Sequence, residues 1–231
     1  RGEEDEEFRL KYISSNLVST SEIALVQARK EIAEFGERLE KMFTFIKKLE
    51  DPEHSKKYHK TLAKIQKYEQ ITDNMEVEIA NYLTKVSEGE ISHDSSKKVR
   101  IMLKMIDDME SIGDAIYQLS LVYDNYKQSN SEFTEFQVEA LHNMYRLIMK
   151  AFKEMHHNVN MEYKDVDIAK AADIELQINR KRNALRKHHV EDLKEKKYKH
   201  KTGTFYSDMF SITEKIGDYI INVSEAIEEY Q

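Results

Sequence analysis

Apolar residues near the start of the chain recur alternately every four and three positions. The residues with this spacing are Ala28, Ile32, Phe35, Leu39, Met42, Ile46 and Leu49. Positions at this spacing share one face of an α-helix, so the pattern predicts a long helix with one apolar side. The Asp51-Pro52 pair ends this helix, because proline disfavours helical geometry in the residue before it. Pro52 itself is tolerated in the first turn of the next helix.

Five further helices are predicted, separated by short polar or glycine-containing stretches. The last break is assigned to Thr202-Gly203-Thr204, and residues 128–131 are interpreted as a linker between two halves. The predicted ranges of helices two to six are 52–87, 97–127, 132–161, 166–199 and 204–229. Long helices joined by short loops pack as antiparallel bundles.

The second half of the chain repeats a motif of the first. Glu110-Ser111-Ile112-Gly113-Asp114 in the third predicted helix matches Glu214-Lys215-Ile216-Gly217-Asp218 in the sixth. The repeat predicts an all-α protein made of two tandem three-helix bundles with six long antiparallel helices. The chain is predicted to consist of an acidic connecting segment (1–24), a first bundle (25–127), the linker (128–131) and a second bundle (132–231).

Composition agrees with long helices and narrows the functional classes. The chain has 231 residues, with 40% hydrophobic and 34% charged residues, a single proline and six glycines. The absence of cysteine excludes disulfides, thiolate metal sites and a cysteine nucleophile. No phosphate-binding glycine loop or catalytic serine motif occurs, so we do not expect an enzyme. The net charge of −7 argues against nucleic acid as a partner.

Acidic residues four positions apart recur at equivalent places in both halves. Such residues lie one turn apart on one helix face, where like charges repel each other unless a cation neutralises them. Hard divalent cations prefer carboxylate oxygens, so the pattern favours a metal site between two helices of each half. A solvated acidic helix face is the alternative, because the chain holds 43 Asp and Glu residues. The candidate ligands are Glu69, Asp73, Glu110 and Asp114 in the first half, and Glu175, Asn179, Glu214 and Asp218 in the second.

The two five-residue motifs resemble the E-R-I-[GA]-D signature of the PhoU family. The resemblance covers nearly the whole chain from about Leu25 and implies two three-helix bundles, a role in regulating phosphate uptake, and metal binding through the acidic motifs. The expected cofactor is a divalent or trivalent metal ion, namely Mg, Mn, Fe or Zn. Ser111 and Lys215 stand where the family signature has arginine, and Asn179 replaces an acid. These departures leave the second half with one carboxylate ligand fewer than the first, although the amide oxygen of Asn179 can still serve as a ligand.

The stretch from Leu10 to Ile32 resembles a segment that leads into the PhoU-like tail of bacterial Na⁺/phosphate cotransporters. This resemblance implies a regulatory domain on the cytoplasmic side of the membrane, whose partner is the membrane portion of the same chain. The start at Arg1 instead of methionine agrees with a fragment of a longer product. The alternative is a free-standing PhoU protein that acts on a phosphate transporter and a sensor kinase.

Three further features have both a structural and a functional interpretation. The stretch Arg180–Lys201 holds ten Lys and Arg against three acidic residues, which fits a solvated helix or contact with an anionic membrane surface. Glu154 and His157 have the spacing of di-iron bundles, which makes a carboxylate-bundle metalloenzyme the third functional hypothesis. Phe133 and Phe136 are candidates for an oligomer interface or for the core.

Overall fold

The computed structural model describes residues 8–13, 20–50 and 57–230, and confirms the all-α fold. A short 3₁₀ turn, Tyr163–Asp165, precedes the fifth helix. The six helices are α1 (Ser21–Glu50), α2 (Tyr58–Ser87), α3 (His93–Gln128), α4 (Glu135–Asn160), α5 (Ala169–Lys194) and α6 (His200–Glu228). The predicted start of the second helix at Pro52 lies outside the described residues.

Hydroxyl side chains cap two of the helices at their N-terminal ends. Ser92 accepts a hydrogen bond from the backbone N–H of Ser95, so α3 begins four residues before the predicted start. Thr134 and Gln137 form a reciprocal capping box at the start of α4. Each cap satisfies backbone N–H groups that have no partner inside the helix, which fixes where the helix begins.

The predicted break between the fifth and sixth helices is misplaced. Helix α5 ends at Lys194 and α6 begins at His200, so Thr202-Gly203-Thr204 lies inside α6. Lys196 takes the left-handed conformation that closes the turn, with φ of 57°. Gly203 instead serves helix packing, because a Cβ atom there would lie 2.9 Å from Cε1 of His189.

The six helices form two groups of three that share one continuous core. Helices α1, α2 and α3 pack against one another, as do α4, α5 and α6, and the most extensive contact of all joins α3 to α6. Helices α1 and α4 also run antiparallel across the two groups, since Arg29 binds Glu162 near one end and Glu50 contacts His142 near the other. The rings of Phe43 in α1 and Tyr145 in α4 meet edge to face at 5.6 Å.

The glycines of the repeated motif make equivalent contacts in the two halves. A Cβ atom on Gly113 of α3 would lie 2.9 Å from Thr72 in α2, and a Cβ atom on Gly217 of α6 would lie 2.9 Å from Ile178 in α5. The α2–α3 pair therefore corresponds to the α5–α6 pair. In both pairs the glycine permits the close approach of two helices that carry the predicted metal ligands.

Part of the N-terminal segment is held against the helices. Glu31 of α1 is fully buried, and its carboxylate accepts hydrogen bonds from the backbone N–H groups of Lys11 and Tyr12 at 3.0 and 2.7 Å. Residues 10–13 thus pack as part of the folded unit. None of the helices in the described part of the chain combines the length and apolar character needed to cross a membrane.

Candidate metal centre

Three of the predicted ligands converge between α2 and α3. Glu69, Asp73 and Asp114 each offer a carboxylate oxygen, and these oxygens all lie within 4.8 Å of one another. All three side chains are partly exposed, so an ion could reach them from solvent. The close approach of the helices at Gly113 brings Asp114 to the acids on α2.

Glu110 belongs to the same charged cluster and is its most perturbed member. Burial, together with the negative charges of Asp114 and Asp73, raises the pKa of Glu110 to about 7. Glu76 and Asp107 add smaller contributions of the same sign. Burial is the largest cause of this shift and repulsion from the neighbouring acids adds to it, and a bound cation would relieve the repulsion.

Glu76 and Asp107 extend the cluster beyond the residues that the sequence singled out. The pKa of Glu76 is raised by burial and by the charges of Asp107 and Asp73. Neither acid takes part in the four-residue spacing that identified the other ligands in the sequence. Glu76 follows Asp73 by three residues and Asp107 precedes Glu110 by three, a spacing that also keeps side chains on one helix face.

We call these six acids the first acidic cluster: Glu69, Asp73, Glu76, Asp107, Glu110 and Asp114. The neighbouring charges that raise the pKa values of Glu69, Asp73, Glu76 and Glu110 all belong to other acids of the cluster. Carboxylates grouped in this way on two adjacent helices are the oxygen ligands that Mg²⁺, Mn²⁺ and iron prefer. The residues present therefore fit a divalent cation.

The four predicted ligands of the second half are also brought together, but around an arginine. The guanidinium of Arg182 in α5 forms an ion pair with Glu214 in α6. The amide of Asn179 donates a hydrogen bond to Glu175. Burial and the charges of Glu214 and Glu175 raise the pKa of Asp218 to about 6, and Arg182 opposes this rise. Among the described residues, the acids of the second half do not form a three-ligand group comparable to the first.

Arg182 occupies the position in α5 that Glu76 occupies in α2. Arg182 lies three residues after Asn179, and Glu76 lies three residues after Asp73, the residue that Asn179 replaces. Each faces the glutamate of the repeated motif on the neighbouring helix. The same place in the repeat thus carries opposite charge in the two halves.

The other functional candidates from the sequence differ in their surroundings. Glu154 is 4% exposed and pairs with Lys170. Neither Glu154 nor His157 belongs to a group of three possible metal ligands among the described residues. Phe133 stacks on Tyr126 and packs against the core. Phe136 remains 46% exposed and stacks on His188. Contact of the basic stretch with an anionic membrane is not tested by these observations and stays a prediction.

Comparison with known proteins gives matches at the level of structure. No protein-family model matches the sequence, and no curated protein matches it. The phosphate transport system regulatory protein PhoU from Streptococcus pneumoniae aligns with a TM-score of 0.75 at 16% identity, covering 91% of this chain and 96% of that one. PhoU from Pseudomonas aeruginosa aligns with a TM-score of 0.79 at 15% identity, covering 90% and 97%. The chain therefore has the fold of the PhoU proteins.

Proposed function

We propose that this chain is a regulator of phosphate transport of the PhoU type, acting through contacts with a phosphate transporter and a sensor kinase. The observation that carries the proposal is the agreement in fold over nearly the full length of both chains, since one matched protein is described as a phosphate transport system regulatory protein. The repeated acidic motifs on α3 and α6 support the same assignment. Function does not follow from fold alone, so the proposal needs a test in cells.

The first acidic cluster is proposed to bind a divalent cation. Glu69, Asp73 and Asp114 supply the oxygens that already lie close together, and Glu110 lies one turn from Asp114. The cation would neutralise the repulsion and link α2 to α3. Mg²⁺ and Mn²⁺ suit an all-carboxylate site better than Zn²⁺, which favours nitrogen and sulfur ligands in structural sites.

A phosphate-uptake assay tests the regulatory role. In a bacterium that lacks its PhoU-type regulator, uptake of labelled phosphate should stay high in phosphate-rich medium. Expression of this chain should lower uptake, and the variant with Glu110→Ala and Asp114→Ala should lose most of that effect. A matched variant with Glu88→Ala and Glu90→Ala removes two exposed acids outside the cluster and should behave like the wild type. Unchanged uptake with well-expressed wild-type chain would count against the regulatory role.

Attachment to a Na⁺/phosphate cotransporter, suggested by the stretch from Leu10 to Ile32, stays the second candidate. The packing of residues 10–13 against α1 is compatible with either arrangement. An antibody raised against this chain distinguishes the two alternatives, because it shows the mass and membrane association of the natural product in cells of the source organism. A membrane-bound product much larger than the 27.3 kDa of this chain would support the cotransporter. A product close to that mass would support the free-standing regulator.

A further inference from the structure

We propose that the guanidinium of Arg182 is a built-in cation that replaces a metal ion in the second half of the chain. The chain would then bind a divalent cation in its first half only. The metal-free state of the second half follows from the side chains of α5 and α6. The part of the inference that concerns the first half rests on the proposed metal-binding function.

The contacts of Arg182 place its charge inside the acidic group of the second half. Its side chain is 25% exposed and that of its partner Glu214 is 15% exposed, so the pair is largely shielded from water. Asp218 and Glu175 contribute further negative charge beside it. An arginine is charged at every physiological pH and presents several N–H donors to carboxylates, so it can compensate these acids permanently.

The second half also carries less negative charge than the first. Asn179 replaces an acid, and its amide group donates to Glu175 instead of repelling it. The buried Nε of Arg182 and the buried Oδ1 of Asn179 have no hydrogen-bond partner in the described part of the chain.

A metal ion does not fit beside this arginine. A divalent cation at Glu214 and Asp218 would lie against the positive charge of the guanidinium and would have to displace it. In the first half, Glu76 stands at the same position and adds a negative charge next to Glu110. One residue of the repeat therefore decides whether the cation comes from the protein or from solution.

Reciprocal charge substitutions test this inference with Mn²⁺ as the probe. Bound Mn²⁺ is counted by calorimetry, and thermal unfolding is followed with a chelator and with excess Mn²⁺. We expect the wild type to bind a single Mn²⁺ ion. R182E in combination with N179D rebuilds the first-half pattern in the second half. This variant should unfold at lower temperature with chelator, recover with Mn²⁺, and bind a second ion. R186E makes the same change of charge as R182E at an exposed site on α5. It should change neither the unfolding temperature in chelator nor the number of bound Mn²⁺ ions.

E76R installs the arginine in the first half. It should raise the unfolding temperature in chelator and abolish the stabilisation by Mn²⁺. This variant keeps the inference testable if the R182E combination does not fold. If the wild type binds no Mn²⁺ but E76R still raises the unfolding temperature in chelator, the metal-binding function fails and the role of arginine as a built-in cation stands. Two Mn²⁺ ions bound to the wild type, or lower stability of E76R in chelator, would overturn the inference.

Discussion

Gly113 of α3 lies so close to Thr72 of α2 that an added Cβ atom would be 2.9 Å from the threonine hydroxyl oxygen. Thr72 is almost fully buried, and its hydroxyl donates a 2.7 Å hydrogen bond to the backbone carbonyl of Glu69. The hydroxyl therefore cannot move away without losing that bond. The contact links the spacing of α2 and α3 directly to the geometry of the first acidic cluster.

We expect Gly113→Ala to destabilise the protein despite the better helix propensity of alanine. The propensity gain is about 1 kcal/mol, whereas forcing an extra methyl group into a packed contact costs about 1–3 kcal/mol. Urea unfolding of the single variant should show the net loss. In a Thr72→Ala background the hydroxyl oxygen is gone, so Gly113→Ala should then be neutral or stabilising. Equal effects of Gly113→Ala in both backgrounds would show that the close contact does not limit packing.

The raised pKa values in the first acidic cluster predict how stability depends on pH in the absence of metal. The pKa of Glu110 is about 7 in the folded protein against an ordinary value of 4.5, so the folded state binds more protons between these values. Stability should therefore fall as the pH rises from about 4.5 to 7. Glu69, Asp73 and Glu76 shift in the same direction and should steepen the fall.

Glu110→Gln isolates the contribution of this residue. Glutamine has no proton to lose, so the variant should be more stable than the wild type near pH 7 in chelator, and its stability should fall less between pH 4.5 and 7. The free energy of unfolding, measured by urea titration at several pH values, checks this. Glu139→Gln, at an exposed position of α4, provides the matched control and should follow the wild type. Parallel pH profiles for wild type and Glu110→Gln would contradict the shifted pKa.

The helices and the acidic motifs could be predicted because both depend on short periodic spacings along one helix. The break between α5 and α6 could not be predicted in the same way. Glycine is typical of turns, but Gly203 lies inside α6, where its missing side chain leaves room for His189. The ion pair of Arg182 with Glu214 could not be predicted from the sequence either. In the sequence this arginine belongs to a basic run, and only the packing of α5 on α6 separates it from that run and places it at Glu214.

The buried carboxylate of Glu31 should hold the N-terminal segment in place. It accepts hydrogen bonds from two backbone N–H groups, at Lys11 and Tyr12, and a hydrogen bond to a charged group contributes about 1.5–3 kcal/mol. Glu31→Ala should release residues 8–13, which would raise amide hydrogen exchange at Lys11 and Tyr12 far more than in α3. Glu37→Ala, an exposed site on the same helix, should leave exchange unchanged. Equal protection in Glu31→Ala would show that other contacts fix the segment.

The last prediction concerns a polar network at the junction of the two halves, in which Tyr123 and Tyr145 are buried and Glu50 is partly exposed. Tyr123 of α3 donates to Glu50 of α1, and its hydroxyl lies 2.6 Å from the hydroxyl of Tyr145 in α4. His142 contacts the other oxygen of Glu50 at 2.9 Å. Burial raises the pKa of Glu50, and the hydrogen bond from Tyr123 is the largest effect that lowers it. The hydrogen bond from Tyr123 is therefore the largest single effect that favours the charged form of Glu50, and His142 adds to it.

Tyr123→Phe should lower the free energy of unfolding at pH 7 by about 1–3 kcal/mol, because it removes a hydrogen-bond donor from the largely buried carboxylate of Glu50. The loss should shrink as the pH falls and Glu50 becomes protonated, since a neutral carboxyl group needs the donor less. Tyr145→Phe should cost less, because Tyr145 has no direct bond to Glu50 among the described contacts. Tyr117→Phe, at a partly buried site of α3 without a hydroxyl hydrogen bond to described residues, is the control. A cost for Tyr123→Phe that is the same at pH 4 and pH 7 would show that packing, not the charge of Glu50, accounts for it.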